Sequence, residues 1–269
     1  MAEDVSRWCL PDLSRAIDWA KERNRQGVRC VIDPLGELAK DDTASDAALY
    51  GSLRSILAIS ENGVRASVAV KPTALGVRYD PEGCLIRADR IARFAWQHGL
   101  AIEVDMEARK YLQAIIDMAL ELRGRGEGGI TVALQAYMGR TPSDIKRLDA
   151  AGIKVRVVKG AYAGDISDHD EVRQALWRNI DLVRTMGRPF SIGTHDPMII
   201  RRLERHGELQ AFAEIGMLKG LGDETKLRLA ERGWSVAEYV PYGEDSYDYV
   251  ARRLNYLRKM SELGLEPVP

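Results

Sequence analysis

The chain has 269 residues, 45% of them hydrophobic and 29% charged, the proportions of a folded protein that buries a sizeable core. Its 39 Lys and Arg against 40 Asp and Glu leave a net charge of −1, which gives no electrostatic footprint for nucleic acid or for an anionic membrane surface. Three cysteines, Cys9, Cys30 and Cys84, with no CxxC spacing argue against a disulfide framework or a zinc site and for a reducing, cytoplasmic setting.

The N-terminal stretch MAEDVSRWCLPD is acidic and lacks an apolar run, unlike a secretory signal or a mitochondrial presequence. No apolar segment approaches the roughly 18 residues needed to span a bilayer. Residues 12–26 place Leu13, Ala16, Ile17 and Ala20 on one helical stripe. Residues 1–26 are therefore read as a helical segment that plugs or covers the bottom of a single catalytic unit spanning 27–269.

Eight β-rich runs lie in that unit: 27–33, 65–71, 101–106, 130–137, 153–160, 189–195, 209–217 and 235–243. Helical periodicity fills 44–60, 87–98, 108–123, 142–150, 168–186, 197–205, 222–232 and 246–262. Strand and helix alternating eight times over predict an α/β fold of the (β/α)8 barrel type. In a parallel barrel all strands end at one face, so Asp33, Lys71, Asp105, Gln135, Lys159, His195 and Tyr239 gather around a single mouth.

Gly124, Gly126 and Gly129 spell GxGxxG, but they follow a helix and precede a strand. That is the reverse of the context a dinucleotide fingerprint needs, and a loop at the barrel bottom is the better reading. Lys159 in VKGAY suits either a Schiff-base lysine, its amine desolvated at a strand end, or a phosphate ligand beside the permissive Gly160. His195, after Gly193 and Thr194, is positioned for ligand contact or packed structurally, while His98, His169 and His206 fall in exposed contexts. Arg252 and Arg253 are solvated surface if the last helix stands beside the barrel, and a carboxylate grip if it lies across the mouth. No second histidine or cysteine is spaced to make a metal site.

KPTALG (71–76), VDME (104–107), LQAYMGRT (134–141), VRVVKGAY (155–162), GTH (193–195), EIGML (214–218) and YVPYG (239–243) followed by RRL (252–254) resemble, in order, the motifs of the proline dehydrogenases. These flavin enzymes oxidise proline to Δ1-pyrroline-5-carboxylate. The resemblance implies a distorted (β/α)8 barrel with its last helix over the mouth and FAD as cofactor. It implies that Lys71, Arg252 and Arg253 bind the substrate carboxylate and that Tyr239 packs against the substrate ring. Asp105 and Arg156 then flank the reacting centre, the arginine near flavin N5, with Asp105 holding Arg252 or Tyr239 or accepting from the substrate amine.

For FAD the resemblance implies Met106 and Gln135 near the isoalloxazine, together with Val158, Lys159 and Gly160, and Thr194 and His195 on the rest of the dinucleotide. Lys159 becomes a cofactor ligand under this reading. The sequence departs from the family pattern at Pro72, Gly193, Asp196 and the MGRT turn. The chain is also short for the family, as expected of a minimal unit without an aldehyde-dehydrogenase partner domain. Relatives pass electrons to quinones and can touch membranes peripherally, so a quinone-type acceptor is expected here. The alternatives are a flavin enzyme for a related cyclic amino acid, such as hydroxyproline or N-methylproline, and a non-catalytic flavin-binding barrel.

Overall fold

The structure, a computed structural model, describes residues 5–244, 246–262 and 264. The outer ends of the two expected segments, 1–4 and 265–269, lie outside the described residues. Strands β1 (Arg29–Pro34), β2 (Ala66–Val70), β3 (Ile102–Val104), β4 (Ile130–Gln135), β5 (Lys154–Val158), β6 (Phe190–Gly193), β7 (Ala213–Leu218) and β8 (Ser235–Tyr242) close into a barrel in sequence order. All neighbours are parallel, and β1 pairs with β8 from Arg29 opposite Ala237 to Pro34 opposite Tyr242. Helices α1 (Leu13–Arg25), α2 (Asp42–Glu61), α3 (Pro81–Gln97), α4 (Leu112–Gly124), α5 (Thr141–Ala150), α6 (His169–Arg184), α7 (Pro197–Arg205), α8 (Asp223–Glu231) and α9 (Tyr247–Glu262) alternate with them. The expected (β/α)8 architecture is present.

Side chains alternate across each strand, as the period of two requires. Cys30, Ile32, Val68, Val70, Val132 and Val155 face the helices and join the main core. Val31, Ala69 and Ala237 form a separate, small apolar cluster inside the barrel, capped by Tyr239.

Element boundaries shift by a few residues from the sequence reading, and for two of them the local reason is plain. Helix α3 starts at Pro81, six residues ahead of expectation, because the Asp80 carboxylate accepts from the Gly83 N–H at 2.9 Å and Pro81 occupies the first turn. Strand β7 starts at Ala213, because residues 207–211 are taken by a 3-10 turn that ends against it.

Helix α1 does not plug the barrel bottom. It packs on the flank against β1 and β8 and buries Ala16, Ile17 and Ala20 there. The reason is charge as well as packing. Glu238 points outward from β8, fully buried, and is met by Trp19 Nε1 at 2.8 Å, Arg23 at 2.9 Å and Lys226 of α8 at 2.8 Å. A buried carboxylate needs such partners. Helix α9 crosses the mouth, where Tyr249 and Val250 pack with Trp8 and Leu221. Gly126 and Gly129 turn the chain from α4 into β4 at the opposite end, away from the mouth, with positive φ values of 92° and 65°.

Candidate active site

The strand ends and α9 enclose a cavity of about 260 Å³. Every candidate residue named from the sequence lines it: Lys71, Asp105, Met106, Gln135, Arg156 and Val158 from β2 to β5, Lys159, Gly160, Thr194, His195 and Tyr239 beyond them, and Arg252 and Arg253 from α9.

At its floor Arg156, buried inside the barrel, donates to Glu103 at 2.5 Å and to Asp105 at 2.6 Å, and its guanidinium stacks over the Tyr239 ring at 4.8 Å. The Tyr239 hydroxyl donates to the same Asp105 oxygen at 2.6 Å. Asp105 therefore holds Tyr239 and Arg156, and no contact ties it to Arg252. Burial disfavours the Arg156 cation, but the Glu103 and Asp105 carboxylates oppose that and its pKa is raised. Burial and the carboxylates of Asp105 and Glu103 push the Tyr239 phenol up against the opposing Arg156 cation, so it stays protonated.

Beside them the Lys71 ammonium is ion-paired with Asp33 and stands 3.8 Å from Asp105. Burial disfavours its charge, but these two carboxylates outweigh that and raise its pKa. Pro72 opens a tight turn after β2 that Glu107 clamps, accepting from the Thr73 N–H at 2.7 Å and the Thr73 hydroxyl at 2.5 Å. On α9, Arg252 is ion-paired with Glu37, and the Arg253 guanidinium lies 4.6 Å over the Tyr249 ring. Both arginines face the cavity, each with an internal partner.

The far end of the cavity has a different character. Lys159 donates to Asp196 at 2.7 Å and lies 2.9 Å from His169 Nε2, and Arg173 reaches the same Asp196 oxygen at 3.0 Å. Burial lowers the Lys159 pKa, and the Asp196 contact opposes that shift. His169 is thus half-buried and engaged with Lys159, not exposed as its sequence context suggests, because it opens α6 directly above the end of β5. His98 and His206 are half-buried as well, His98 against the Phe94 carbonyl and His206 beside Trp177.

Several buried polar atoms here lack partners. Gln135 Nε2 donates to the carbonyls of Met106 and Glu107, leaving Oε1 buried and unpaired. His195 Nε2 accepts from the Leu218 N–H at 3.0 Å, so the neutral ring carries its proton on Nδ1, which is buried and also unpaired. Burial holds the His195 pKa well below the usual range, in keeping with a neutral ring. Thr194 is buried too and accepts from the Asp196 N–H at 3.1 Å. Buried polar atoms are rarely left unpaired, so an acceptor on Gln135 and a donor on His195 aimed into one cavity mark a place for a polar ligand.

Two glycines shape this end. At Gly193 a Cβ would meet Val158 Cγ1 at 2.7 Å, which accounts for the absence of an alanine there. Gly160 has φ +118°, and a Cβ would overlap the Tyr137 ring. Gly160→Ala is therefore expected to cost about 2 kcal/mol through overpacking, lowering the melting temperature by about 4–8 °C. An unchanged melting temperature would remove this account of the turn.

Glu37, Glu107, Tyr162, Tyr249 and Tyr256 also line the cavity and escaped the sequence reading. Tyr249 and Tyr256 flank the arginine pair at helical spacing, a signal of one shared face that was available. Glu37 lies in a loop without periodicity and gave no signal.

The family model for proline dehydrogenase matches residues 16–179. Proline dehydrogenase 2 of Bacillus subtilis (strain 168) is 31% identical over 254 residues, covering 90% of this chain and 82% of that protein. Proline dehydrogenase of Deinococcus radiodurans is 28% identical over 254 residues, with the same coverages of 90% and 82%. Among solved structures, proline utilization A of Bradyrhizobium japonicum superposes with a TM-score of 0.81 at 20% identity, covering 93% of this chain and 30% of that one. Proline utilization A of Bdellovibrio bacteriovorus gives 0.79 at 16% identity, covering 94% and 32%. The chain thus spans about a third of those longer proteins, which share its fold. By sequence, the chain belongs to the proline dehydrogenase family.

Proposed function

We propose that this protein oxidises L-proline to Δ1-pyrroline-5-carboxylate with FAD as its cofactor. The observation that carries the reading is a single cavity lined both by three cations, Lys71, Arg252 and Arg253, and by the unpaired Gln135 and His195 atoms. The cations suit a carboxylate, and the unpaired donor and acceptor suit a flavin dinucleotide. Gln135 Oε1 would accept from an isoalloxazine N–H, Met106 and Val158 would lie against the ring, and His195 Nδ1–H, Thr194 and Lys159 would hold the remainder past Gly160. FAD, when bound, supplies a hydride acceptor for the carbon next to the proline nitrogen.

The chain's own part is orientation and electrostatics. Lys71 and the arginine pair grip the carboxylate, and Tyr239 packs against the ring, leaving little room for a ring hydroxyl. Asp105 Oδ1 is committed to Tyr239 and Arg156, which leaves Oδ2, 3.8 Å from the Lys71 ammonium, to accept from the substrate nitrogen. Arg156, held cationic, offsets negative charge that grows as the reaction proceeds. Helix α9, lying across the mouth, limits the access of water to these charges and so strengthens them. The electrons then pass to a quinone-type acceptor, by peripheral contact of a cytoplasmic protein with the membrane. No described helix is long and apolar enough to cross a membrane, and no described cluster of His, Cys, Asp and Glu suits a metal.

The test is the visible spectrum. Protein made with ample riboflavin should be yellow and bleach on anaerobic addition of L-proline. Colourless protein that fails to take up added FAD would defeat the reading. Within it, Arg252→Met and Arg253→Met should each lower kcat/KM for proline by about ten- to a hundred-fold while retaining FAD, because a charge-assisted hydrogen bond is lost. Wild-type kinetics in both variants would return the pair to a purely structural role.

A further inference from the structure

Beneath the cavity the barrel interior is not filled with the bulky branched side chains usual for this architecture. Its apolar cluster is limited to Val31 and the small Ala69 and Ala237, with Tyr239 against them, which leaves room for a ladder of charges. Glu214 of β7 receives Arg29 of β1 through Nε at 2.7 Å and Nη2 at 2.9 Å. Arg29 Nη2 also donates to Glu103 Oε1 at 2.7 Å, and the Ser67 hydroxyl bridges the two, 2.7 Å from Arg29 and 2.9 Å from Glu103. The other Glu103 oxygen takes Arg156 Nη1 at 2.5 Å, and Arg156 Nη2 goes up to Asp105. Charges thus alternate from the barrel bottom to the floor of the site.

Stability does not explain this ladder. Burying an ion costs several kcal/mol in lost hydration, and apolar filling of the same space is often neutral or better. What charges add is a fixed direction, because a guanidinium fork held at two nitrogens by carboxylates has one orientation. We propose that Glu103, backed by Arg29, is a positioning residue that locks the Arg156 guanidinium from below, so that its remaining edge faces the substrate. The inference rests on the proline-oxidising reading of the same cavity. Its supporting electrostatics are consistent. Although burial raises it, the Glu103 carboxyl is held below its usual range by Arg156 and Arg29. Burial likewise opposes ionisation of Glu214, but the Arg29 hydrogen bond and charge hold it down at about 2. Both carboxylates are thus ionised wherever the protein works.

The experiment compares Glu103→Gln with Arg87→Met. The glutamine side chain keeps the shape but offers one neutral oxygen to two arginines. Arg87 makes ion pairs of similar length with the exposed Asp42 and Asp46 between α2 and α3, outside the cavity, and serves as the stability control. Two quantities are read on each: kcat/KM for proline, and the guanidinium N–H signals of Arg156 in 15N-arginine-labelled protein, assigned by their loss in Arg156→Lys. Glu103→Gln is expected to lower kcat/KM by about ten- to a hundred-fold and to average the separate Arg156 signals as the fork rotates. Arg87→Met is expected to lower the melting temperature and leave both readouts at wild type.

Folded Glu103→Gln protein with wild-type signals and rate overturns the proposal, as does an equal loss in Arg87→Met. If Glu103→Gln does not fold, Glu103→Asp carries the test, because its shorter reach cannot span both arginines. Wild-type signals and rate in that variant overturn the proposal too. A wild-type protein that leaves proline untouched defeats the functional reading instead, and the signals alone then decide the positioning role.

Discussion

Replacing Lys71 with methionine is expected to lower kcat/KM for proline by at least about a hundred-fold and to cost about 3 kcal/mol of stability near neutral pH. The ammonium serves two carboxylates, ion-paired with Asp33 and 3.8 Å from Asp105. Without it, burial and the Asp105 charge, both of which push the Asp33 carboxyl up, act unopposed by the lysine. An uncompensated buried charge is the costly outcome, so Asp33 escapes it by taking a proton. The penalty should therefore shrink at low pH, where the proton is freely available.

Activity falls further than stability, because the variant loses a cation for the substrate carboxylate while the Asp105 carboxylate beside it stays. Melting temperatures at about pH 5 and 8 and steady-state kinetics check both parts. The double variant Lys71→Met/Asp33→Asn should recover most of the stability and none of the activity. If Lys71→Met melts like wild type at both pH values, or the double variant regains activity, Lys71 neither neutralises Asp33 nor grips the substrate.

The barrel was legible because its strands are bounded, β-branched and evenly spaced, and because nearly every one ends in a polar residue. That pattern alone brought Asp33, Lys71, Asp105, Gln135, Lys159, His195 and Tyr239 to one mouth. The position of α9 was not legible from periodicity. An amphipathic helix shows its apolar stripe equally on the flank and across the mouth, and only the likeness of YVPYG and RRL to a known family chose between them. Helix α1 shows the same ambiguity, and there the sequence reading failed. The outward carboxylate of Glu238, which fixes α1 on the flank, looks in sequence like any solvent-facing strand residue. Arg29 and Glu103 are a different case. Charged residues within otherwise apolar runs were visible, but the ladder they build joins positions far apart in the chain, and no local pattern links them.

Glu107 gives the second large effect, and its sign is set by burial. The VDME motif ends β3 and places this carboxylate in an apolar surround, where burial, opposed by two Thr73 hydrogen bonds and aided by Asp105 and Glu37, raises its pKa from 4.5 to about 7. The folded protein therefore holds this proton more tightly than the unfolded chain. The stabilisation is full below about pH 4.5, declines as pH rises towards 7 and is gone above it, a loss of about 3 kcal/mol. Glu107→Gln mimics the neutral acid at every pH. Its oxygen accepts from the Thr73 N–H, and its amide donates to the Thr73 hydroxyl. The variant should match wild type near pH 5 and melt about 6–12 °C higher near pH 8, at roughly 2–4 °C per kcal/mol for a chain of this size. Because other groups titrate across the same range, the informative quantity is the difference between the two proteins at each pH. A difference that does not grow between pH 5 and 8 would mean that Glu107 is ionised in the folded protein throughout, and that the Thr73 clamp stabilises its charge more than burial opposes it.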